Sequence, residues 1–227
     1  SPSTWSATRP NWVAFITELS EVLHDDGRTL SVSIPAVYDE SATGDPGYWV
    51  YDHGAIAEHV DGLRIMAYDY SVAEPGPIAP LDWVQQVIDG VLLAVPPEFH
   101  DRVVLGIPSY GYNWPTTVVG DCPADAPGRT SINPGTLDEL IALRNIEPVA
   151  DALTGEWSAT YELEIDDGVS SCVQTRQLHW VDADGVALRV EMARRAGIRG
   201  VALWALGYGD DDVWNALVSS ATKDLAP

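Results

Sequence analysis

The stretch GLRIMAYD, residues Gly62 to Asp69, decides the fold. Up to Tyr68 it is mostly apolar and of strand length, which predicts a strand buried on both faces, as in a parallel sheet. Three further stretches have the same character: TLSVSIPAV at 29–37, RVVLGIP at 102–108 and GVALWAL at 200–206. Together they predict a buried sheet of four strands.

Segments with helical periodicity lie before, between and after these strands. Thr8 and Pro10 predict the start of the first helix, because a polar cap and an early proline are typical of helix N-termini. Gly27 is expected to end this helix, and further helices are expected over 52–59, 81–95, 182–196 and 210–220. Because strands and helices alternate, the sequence predicts a parallel α/β sheet.

Residues 115–180 interrupt this alternation. They contain many turn residues, weak strand patterns and one expected helix over 136–144. At about 30 residues for each strand–helix unit, the sequence outside the interruption accommodates about five units.

Composition and charge exclude several classes of partner. The 227 residues include 12 Lys+Arg and 34 Asp+Glu, a formal net charge of −22 at pH 7. Such a charge repels phosphate groups, so we expect no nucleic-acid partner and no membrane partner. The hydrophobic fraction of 46% is that of a globular protein. No apolar run approaches the ~20 residues of a membrane span.

The sequence predicts no metal site and no other cofactor. The five histidines are scattered, and neither zinc spacing nor EF-hand spacing occurs. The two cysteines, Cys122 and Cys172, fit one disulfide in an exported protein, and two unpaired thiols are the alternative.

Aromatic residues and one carboxylate follow the predicted strands. Parallel sheets bind ligands at the carboxyl ends of their strands. The residues expected there are Pro35, Tyr38, Met66, Tyr68, Asp69, Tyr70, Tyr110, Tyr112, Asn113, Trp114, Trp204 and Tyr208. Aromatic faces stack on sugar rings, and hydroxyl and carboxyl groups hydrogen-bond to sugars, so the pattern indicates a carbohydrate cleft. The alternative is that these aromatic residues belong to the core.

Several of these stretches resemble glycoside hydrolase family 18, the chitinase-like barrels. Met66-Ala67-Tyr68-Asp69 resembles the Met-x-Tyr-Asp motif of that family's strand six. GIPSYG at 106–111, followed by Trp114, is similar to strand seven. GVALWALG at 200–207 resembles the last strand, whose tryptophan forms the floor of the sugar subsite.

The resemblance extends to the interruption and to one loop. Tyr161 and HWVD at 179–182 are similar to landmarks of the small domain that many members carry after strand seven. PGPIAPL at 75–81 and Trp83 resemble the branch that acts on peptidoglycan and spore-cortex-like polymers.

The resemblance implies a partial TIM (β/α)8 barrel, strands five to eight, with a small α+β chitinase-type insertion domain. Residues 1–114 would run from helix four to strand seven of the barrel and 181–227 would form its last part, while 115–180 would be the insertion. The first three strand–helix units and strand four would then precede Ser1. The open edges of such a half barrel imply association, either with a missing N-terminal segment or through these edges, unless the fragment closes on itself.

The resemblance also implies a mechanism, that of a retaining, substrate-assisted glycosidase, in which the acetamido oxygen of the sugar attacks the anomeric carbon. Tyr68 would donate to this acetamido group, and Asp69 would bind the sugar and perturb the pKa of the general acid. The residues implied to bind substrate are Met66, Tyr70, Tyr110, Tyr112, Trp114 and Trp204.

The family's catalytic signature, alternating aspartates ending in a glutamate at the tip of strand four, is absent from this sequence. The nearest runs, at 166–168 and 182–185, are expected to be a turn and a helix cap. The isolated chain is therefore expected to be inactive, although it would derive from a secreted or cell-envelope-associated hydrolase of chitin or peptidoglycan. Two alternatives remain: a lectin-like relative that binds carbohydrate without catalysis, and an α/β protein with structural aromatic residues.

Overall fold

The computed structural model describes residues 2–36 and 50–221, so the expected site residue Tyr38 lies outside the described part. The elements, in chain order, are α1 Pro2–Asp25, β1 Ser31–Pro35, α2 His53–Ala57, β2 Gly62–Met66, α3 Leu81–Ala94, a 3₁₀ helix Pro97–Arg102, β3 Val103–Pro108, β4 Gly111–Gly120, β5 Thr130–Ile132, α4 Pro134–Arg144, β6 Val149–Asp151, β7 Glu156–Asp166, β8 Ser171–Trp180, α5 Ala183–Arg195, β9 Gly200–Trp204 and α6 Asp211–Ala221. They fall into two compact units. The first comprises 1–67, 82–107 and 190–202, and the second comprises 68–81, 108–189 and 203–227.

The first unit is built on a four-stranded sheet with the order β1-β2-β3-β9. β1 pairs with β2, and β2 with β3, both in parallel, with Ile65 opposite Ile34 on one side and Leu105 on the other. The predicted parallel α/β arrangement is thus confirmed for these strands. Among the described residues this sheet does not close into a barrel.

The core of the first unit follows from the apolar runs. Ile34, Leu63, Ile65 and Leu105 are almost completely buried. α3 buries one face, formed by Trp83, Val84, Val87, Ile88 and Val91. Its apolar residues recur at helical spacing and therefore share one side of the helix.

The prediction that the first helix begins near Thr8 and Pro10 is wrong, because α1 begins at Pro2 and contains Pro10. A proline inside a helix removes one backbone hydrogen bond. Contacts on both sides of Pro10 fix this helix: the Nε atom of Arg9 lies 2.6 Å from Oδ2 of Asp52, and the indole of Trp12 donates to a backbone carbonyl at 2.9 Å. Tertiary contacts therefore outweigh the local start signal.

The second unit contains a five-stranded antiparallel sheet with the order β5-β4-β8-β7-β6. β4 and β8 pair along most of their length, with Gly111 opposite Trp180 and Gly120 opposite Cys172. A Cβ atom at Gly111 would lie 2.1 Å from the backbone oxygen of His179, so only glycine allows this close approach. Tyr112, Asn113 and Trp114 follow β3, as expected, and form part of a further strand, β4.

A separate apolar core supports this sheet. It consists of the buried residues Ile132, Leu137, Ile146, Ala159, Leu178 and Trp180. α4 contributes Leu137 and begins at a capping box in which Asn133 and Thr136 bond to each other's backbone. Cys122 and Cys172 form a disulfide that links the loop after β4 to β8.

The two acidic runs have the structural roles expected of them. Asp167 accepts the backbone N–H groups of Val169 and Ser170 in the turn between β7 and β8. Asp182 accepts the N–H of Gly185 at 2.9 Å at the start of α5.

No helix in the described part of the chain is long and apolar enough to cross a membrane.

Candidate functional site

The candidate site begins with the dipeptide Tyr68-Asp69, at the start of the long loop before α3. Asp69 has a left-handed backbone conformation, with φ +62°, which aspartate tolerates better than most residues. Its Oδ1 atom accepts hydrogen bonds from the phenol groups of Tyr110 and of Tyr112, the latter at 2.7 Å. Because residues two apart on an extended chain project to the same side, Tyr110 and Tyr112 reach the same carboxylate.

Aromatic rings surround this carboxylate in continuous contact. The Tyr68 and Trp204 rings are stacked, with centroids 6.2 Å apart and an interplanar angle of 22°. Edge-to-face contacts join Tyr68 to Tyr110 and Tyr110 to Tyr112. We call the following residues the aromatic cluster: Tyr68, Tyr110, Tyr112, Trp114, Trp204 and Tyr208.

Burial separates the cluster into a support and an exposed surface. Tyr110, Tyr112 and Trp114 are 4%, 8% and 2% exposed, so they chiefly position their neighbours. Trp204 is 54% exposed, whereas Tyr68 and Tyr208 are partly buried, so Trp204 is the most exposed ring of the cluster. The remaining expected site residues are Tyr70, which is 54% exposed, and Met66, the last residue of β2, which belongs to the first unit.

Two polar groups of the cluster have unused hydrogen-bonding capacity. Both tyrosine donors contact Oδ1 of Asp69, and no donor in residues 2–36 and 50–221 bonds to Oδ2. The Tyr68 hydroxyl likewise makes no hydrogen bond within these ranges, and no fully buried side-chain oxygen or nitrogen there lacks a partner. An acceptor and a donor therefore remain available beside an exposed indole face.

Three tyrosines of the cluster, Tyr68, Tyr110 and Tyr112, stay protonated at neutral pH. The pKa values of Tyr110 and Tyr112 are raised above the usual value for tyrosine. Burial is the largest cause, and the hydrogen bond to the Asp69 carboxylate is the second. Burial and the nearby Asp69 charge also raise the pKa of Tyr68. Arg129 opposes the shift of the Tyr112 pKa. All three phenols are thus stable hydrogen-bond donors.

The loop that carries Asp69 is anchored by a buried ion pair that the sequence did not reveal. Glu156 accepts the backbone N–H groups of Ile78 and Ala79, both at 2.7 Å, and lies 3.1 Å from Nη2 of Arg189. Burial raises the pKa of Glu156 and lowers that of Arg189 to about 10. The anchored segment belongs to the loop at 75–81.

A second buried arginine, Arg176, supports β4. It is 1% exposed and donates through Nε to Oδ1 of Asn113 at 2.8 Å. Asn113 in turn donates to the Tyr161 hydroxyl at 3.0 Å. This network lies beside Tyr112 and Trp114 and fixes the strand that carries them.

No cluster of three or more potential metal ligands occurs among the described residues.

The comparisons with known proteins agree with this architecture. The family model described as glycosyl hydrolases family 18 matches residues 2–209. A chitinase from Chromobacterium violaceum superimposes with a TM-score of 0.78 at 30% identity, over 94% of this chain and 62% of that one. The spore cortex-lytic enzyme SleL from Bacillus megaterium shares the fold, with a TM-score of 0.76 at 19% identity, over 94% of this chain and 46% of that one.

The curated relatives are considerably longer than this chain. The cortical fragment-lytic enzyme of Bacillus subtilis is 24% identical over 206 residues, which are 88% of this chain and 43% of that protein. The chain spans about half the length of the curated relatives it matches.

Proposed function

This chain belongs to glycosyl hydrolases family 18, and on that premise we propose that it binds the acetamido sugar in an enzyme that hydrolyses N-acetylglucosamine-containing polysaccharide, chitin or peptidoglycan. One observation carries the proposal: the free Tyr68 hydroxyl and the free Oδ2 of Asp69 lie in the cluster whose exposed face is Trp204. A sugar ring stacked on that indole would find a donor and an acceptor beside it.

The chemistry follows from these groups. In a substrate-assisted reaction, the acetamido oxygen attacks the anomeric carbon while the glycosidic bond breaks and its oxygen takes up a proton. Tyr68 would hydrogen-bond to the acetamido oxygen and orient it. Asp69, whose Oδ1 atom is fixed by two phenols, would bind the sugar through Oδ2 and perturb the pKa of the general acid.

The proton donor has no match in this sequence. The family's glutamate, at the end of a run of aspartates, is absent from this sequence. The buried Glu156 does not replace it, because its carboxylate already binds Arg189 and two backbone N–H groups. A positioned general acid contributes about 10²–10⁴-fold to the rate. We therefore propose that these 227 residues alone bind the sugar without hydrolysing it, and that hydrolysis needs a carboxylic acid from polypeptide outside them.

The proposal includes the organisation and location of the protein. Residues 1–114 and 181–227 would be parts of a (β/α)8 barrel and 115–180 its insertion, which the antiparallel sheet of β4 to β8 supports. β1 and β9 are the edges of the described four-stranded sheet, and these edges would bind the rest of the barrel or a second copy. A disulfide and a relative named as a cortical fragment-lytic enzyme support a secreted or cell-envelope location.

Calorimetric titration with chitotetraose tests the binding part. We expect the chain to bind this ligand and Trp204→Ala to weaken binding by about 1–3 kcal/mol, or about 5- to 150-fold in Kd, by analogy with other rings stacked on aromatic side chains. Leu206→Ala, in the same segment and highly exposed, is the matched control and should bind like the wild type. Equal affinities of the wild type and Trp204→Ala would exclude Trp204 as the sugar platform.

Release of reducing ends tests the catalytic part. The 227-residue chain should show no turnover of chitotetraose, and sustained turnover would refute our assignment of the proton donor. The second candidate function, carbohydrate binding without catalysis, is favoured by the same missing glutamate. It predicts that the full-length protein also binds the sugar and does not cleave it, whereas a hydrolase predicts cleavage.

A further inference from the structure

The loop over 121–129, between β4 and β5, brings an arginine to the aromatic cluster. The guanidinium carbon of Arg129 lies 4.4 Å from the centroid of the Tyr112 ring. Tyr112 is the residue that donates to Asp69 at 2.7 Å. A positive charge therefore lies beside one of the phenols that bind Asp69.

This loop is held at both ends, and two further contacts fix the residues directly before Arg129. The disulfide fixes Cys122 to β8, and Thr130 pairs with Asn113 directly after Arg129. Arg176 donates to the backbone carbonyls of Pro127 at 2.9 Å and Gly128 at 2.8 Å. The two residues before Arg129 are thus fixed by a buried guanidinium, which reduces the entropy that Arg129 would lose on binding a ligand.

Arg129 differs from the two buried arginines of the same unit in what it contacts. Arg176 and Arg189 donate to carbonyl, amide and carboxylate oxygens within the protein. Arg129 is exposed, and within residues 2–36 and 50–221 no carboxylate forms an ion pair with it. A guanidinium stacked on a ring keeps in-plane N–H donors at its edge, and these match a carboxylate in a bidentate manner.

We propose that Arg129 binds a carboxylate carried by the sugar, so that the polymer is peptidoglycan and not chitin. The inference rests on the function proposed above and names its substrate class. In peptidoglycan every second N-acetylhexosamine carries a 3-O-lactyl group. Its carboxylate is free where the stem peptide has been removed, and the carboxylate of the first peptide residue is free where the peptide has been trimmed to that residue. Chitin is neutral and offers a guanidinium no carboxylate.

The net charge of −22 does not oppose this assignment. At physiological ionic strength, charges are screened over about 8 Å, so most of the acidic surface acts weakly on a bound carboxylate. A charge-assisted hydrogen bond acts within about 3 Å and is hardly screened. The local cation therefore outweighs the remote acidic groups.

Affinity measurements on the 227-residue chain test the proposal. The ligands are chitotetraose and three peptidoglycan-type tetrasaccharides, with a free lactyl carboxylate, with L-alanine on the lactyl group, and with the lactyl carboxamide. We expect the wild type to bind one of the two carboxylate forms about tenfold more tightly than the carboxamide, a preference that decreases as salt is added. The form with the higher affinity identifies which carboxylate is bound.

The variants separate Arg129 from general electrostatics. Arg129→Gln should lose the carboxylate preference, and Arg129→Lys, which keeps the charge without the planar fork, should retain part of it. Arg144→Gln is the matched control, because it removes one exposed positive charge from α4 and should keep the full preference.

Three results would overturn the inference: no preference in the wild type, a full preference in Arg129→Gln, or an equal loss of chitotetraose and carboxylate binding in Arg129→Gln. The last result would mean that Arg129 only positions Tyr112. Binding of chitotetraose without a carboxylate preference refutes this inference alone, whereas failure to bind any of the four ligands refutes the proposed function together with it.

Discussion

Replacing Glu156 by glutamine should destabilise the second unit severely. The Glu156 carboxylate is almost fully buried, lies 3.1 Å from Nη2 of Arg189 and accepts two backbone N–H groups at 2.7 Å. Glutamine keeps one acceptor oxygen but directs an NH₂ group either toward the N–H of Ile78 or toward both the N–H of Ala79 and the Arg189 guanidinium. The Arg189 charge also loses its counter-charge.

The magnitude follows from these contacts. Loss of one or two charge-assisted hydrogen bonds, at about 1.5–3 kcal/mol each, gives about 3 kcal/mol. Removing one partner of a buried ion pair typically costs about 3–5 kcal/mol, which agrees with this sum. For a chain of this size, 1 kcal/mol shifts Tm by about 2–4 °C, so the expected decrease in Tm is about 6–20 °C.

Thermal unfolding followed by circular dichroism measures this effect, with Glu191→Gln as the matched control. Glu191 contacts two arginines, Arg194 and Arg195, at 2.8 and 2.7 Å, but on the exposed surface of α5. Water and salt screen such pairs, so Glu191→Gln should hardly change Tm. Equal Tm values for the two variants would show that the Glu156–Arg189 pair does not anchor the loop, and the reasoning would fail.

Two further predictions concern the same unit. In a titration at 295 nm, three of the nine tyrosines, Tyr68, Tyr110 and Tyr112, should ionise above the usual tyrosine range in the native protein, whereas all nine should titrate together in denaturant. Because their folded pKa values are raised, their contribution to stability is present below the unfolded pKa and is lost as the pH rises through the folded values; nine tyrosines titrating alike in the native state would contradict the buried cluster. Replacing Cys122 and Cys172 by serine opens a loop with a sequence separation of 50 residues and should lower the free energy of unfolding by about 2–4 kcal/mol, and an unchanged urea midpoint would contradict this.

The first sheet was predictable from sequence because hydrophobicity alone marks strands buried on both faces. The second sheet was not, and β8 shows why. Its side chains alternate regularly in burial, but the buried positions include Gln174 and Arg176 as well as Leu178 and Trp180. The burial pattern has a period of two residues, whereas the hydrophobicity pattern does not. A polar network that is satisfied internally therefore hides a strand from any analysis of apolar periodicity.

The candidate site likewise contains residues that the sequence indicated and residues that it did not. Tyr68, Asp69 and Trp204 follow or end apolar runs, and strand ends are where ligands bind, so sequence indicated them. Glu156 is separated by 77 and 78 positions from the two residues whose N–H groups it accepts, and Arg176 by 63 from Asn113. No nearby residue in the sequence indicates that either charge is buried, because the partners that compensate the charge are distant in sequence and come close only in the folded chain.

The buried charges and the site are parts of one arrangement. The loop over 68–81 is fixed near its start by the two phenols that bind Asp69, and near its end by Glu156 and Arg189. Between these points, the indole of Trp114 donates to the backbone carbonyl of Val72 at 2.9 Å. Three anchors on one loop leave Tyr68 and Oδ2 of Asp69 little freedom to move, although both keep unused hydrogen-bonding capacity. Because binding then requires little ordering, the loop anchors should affect sugar affinity as well as stability, and Glu156→Gln should weaken chitotetraose binding at temperatures where the variant is still folded.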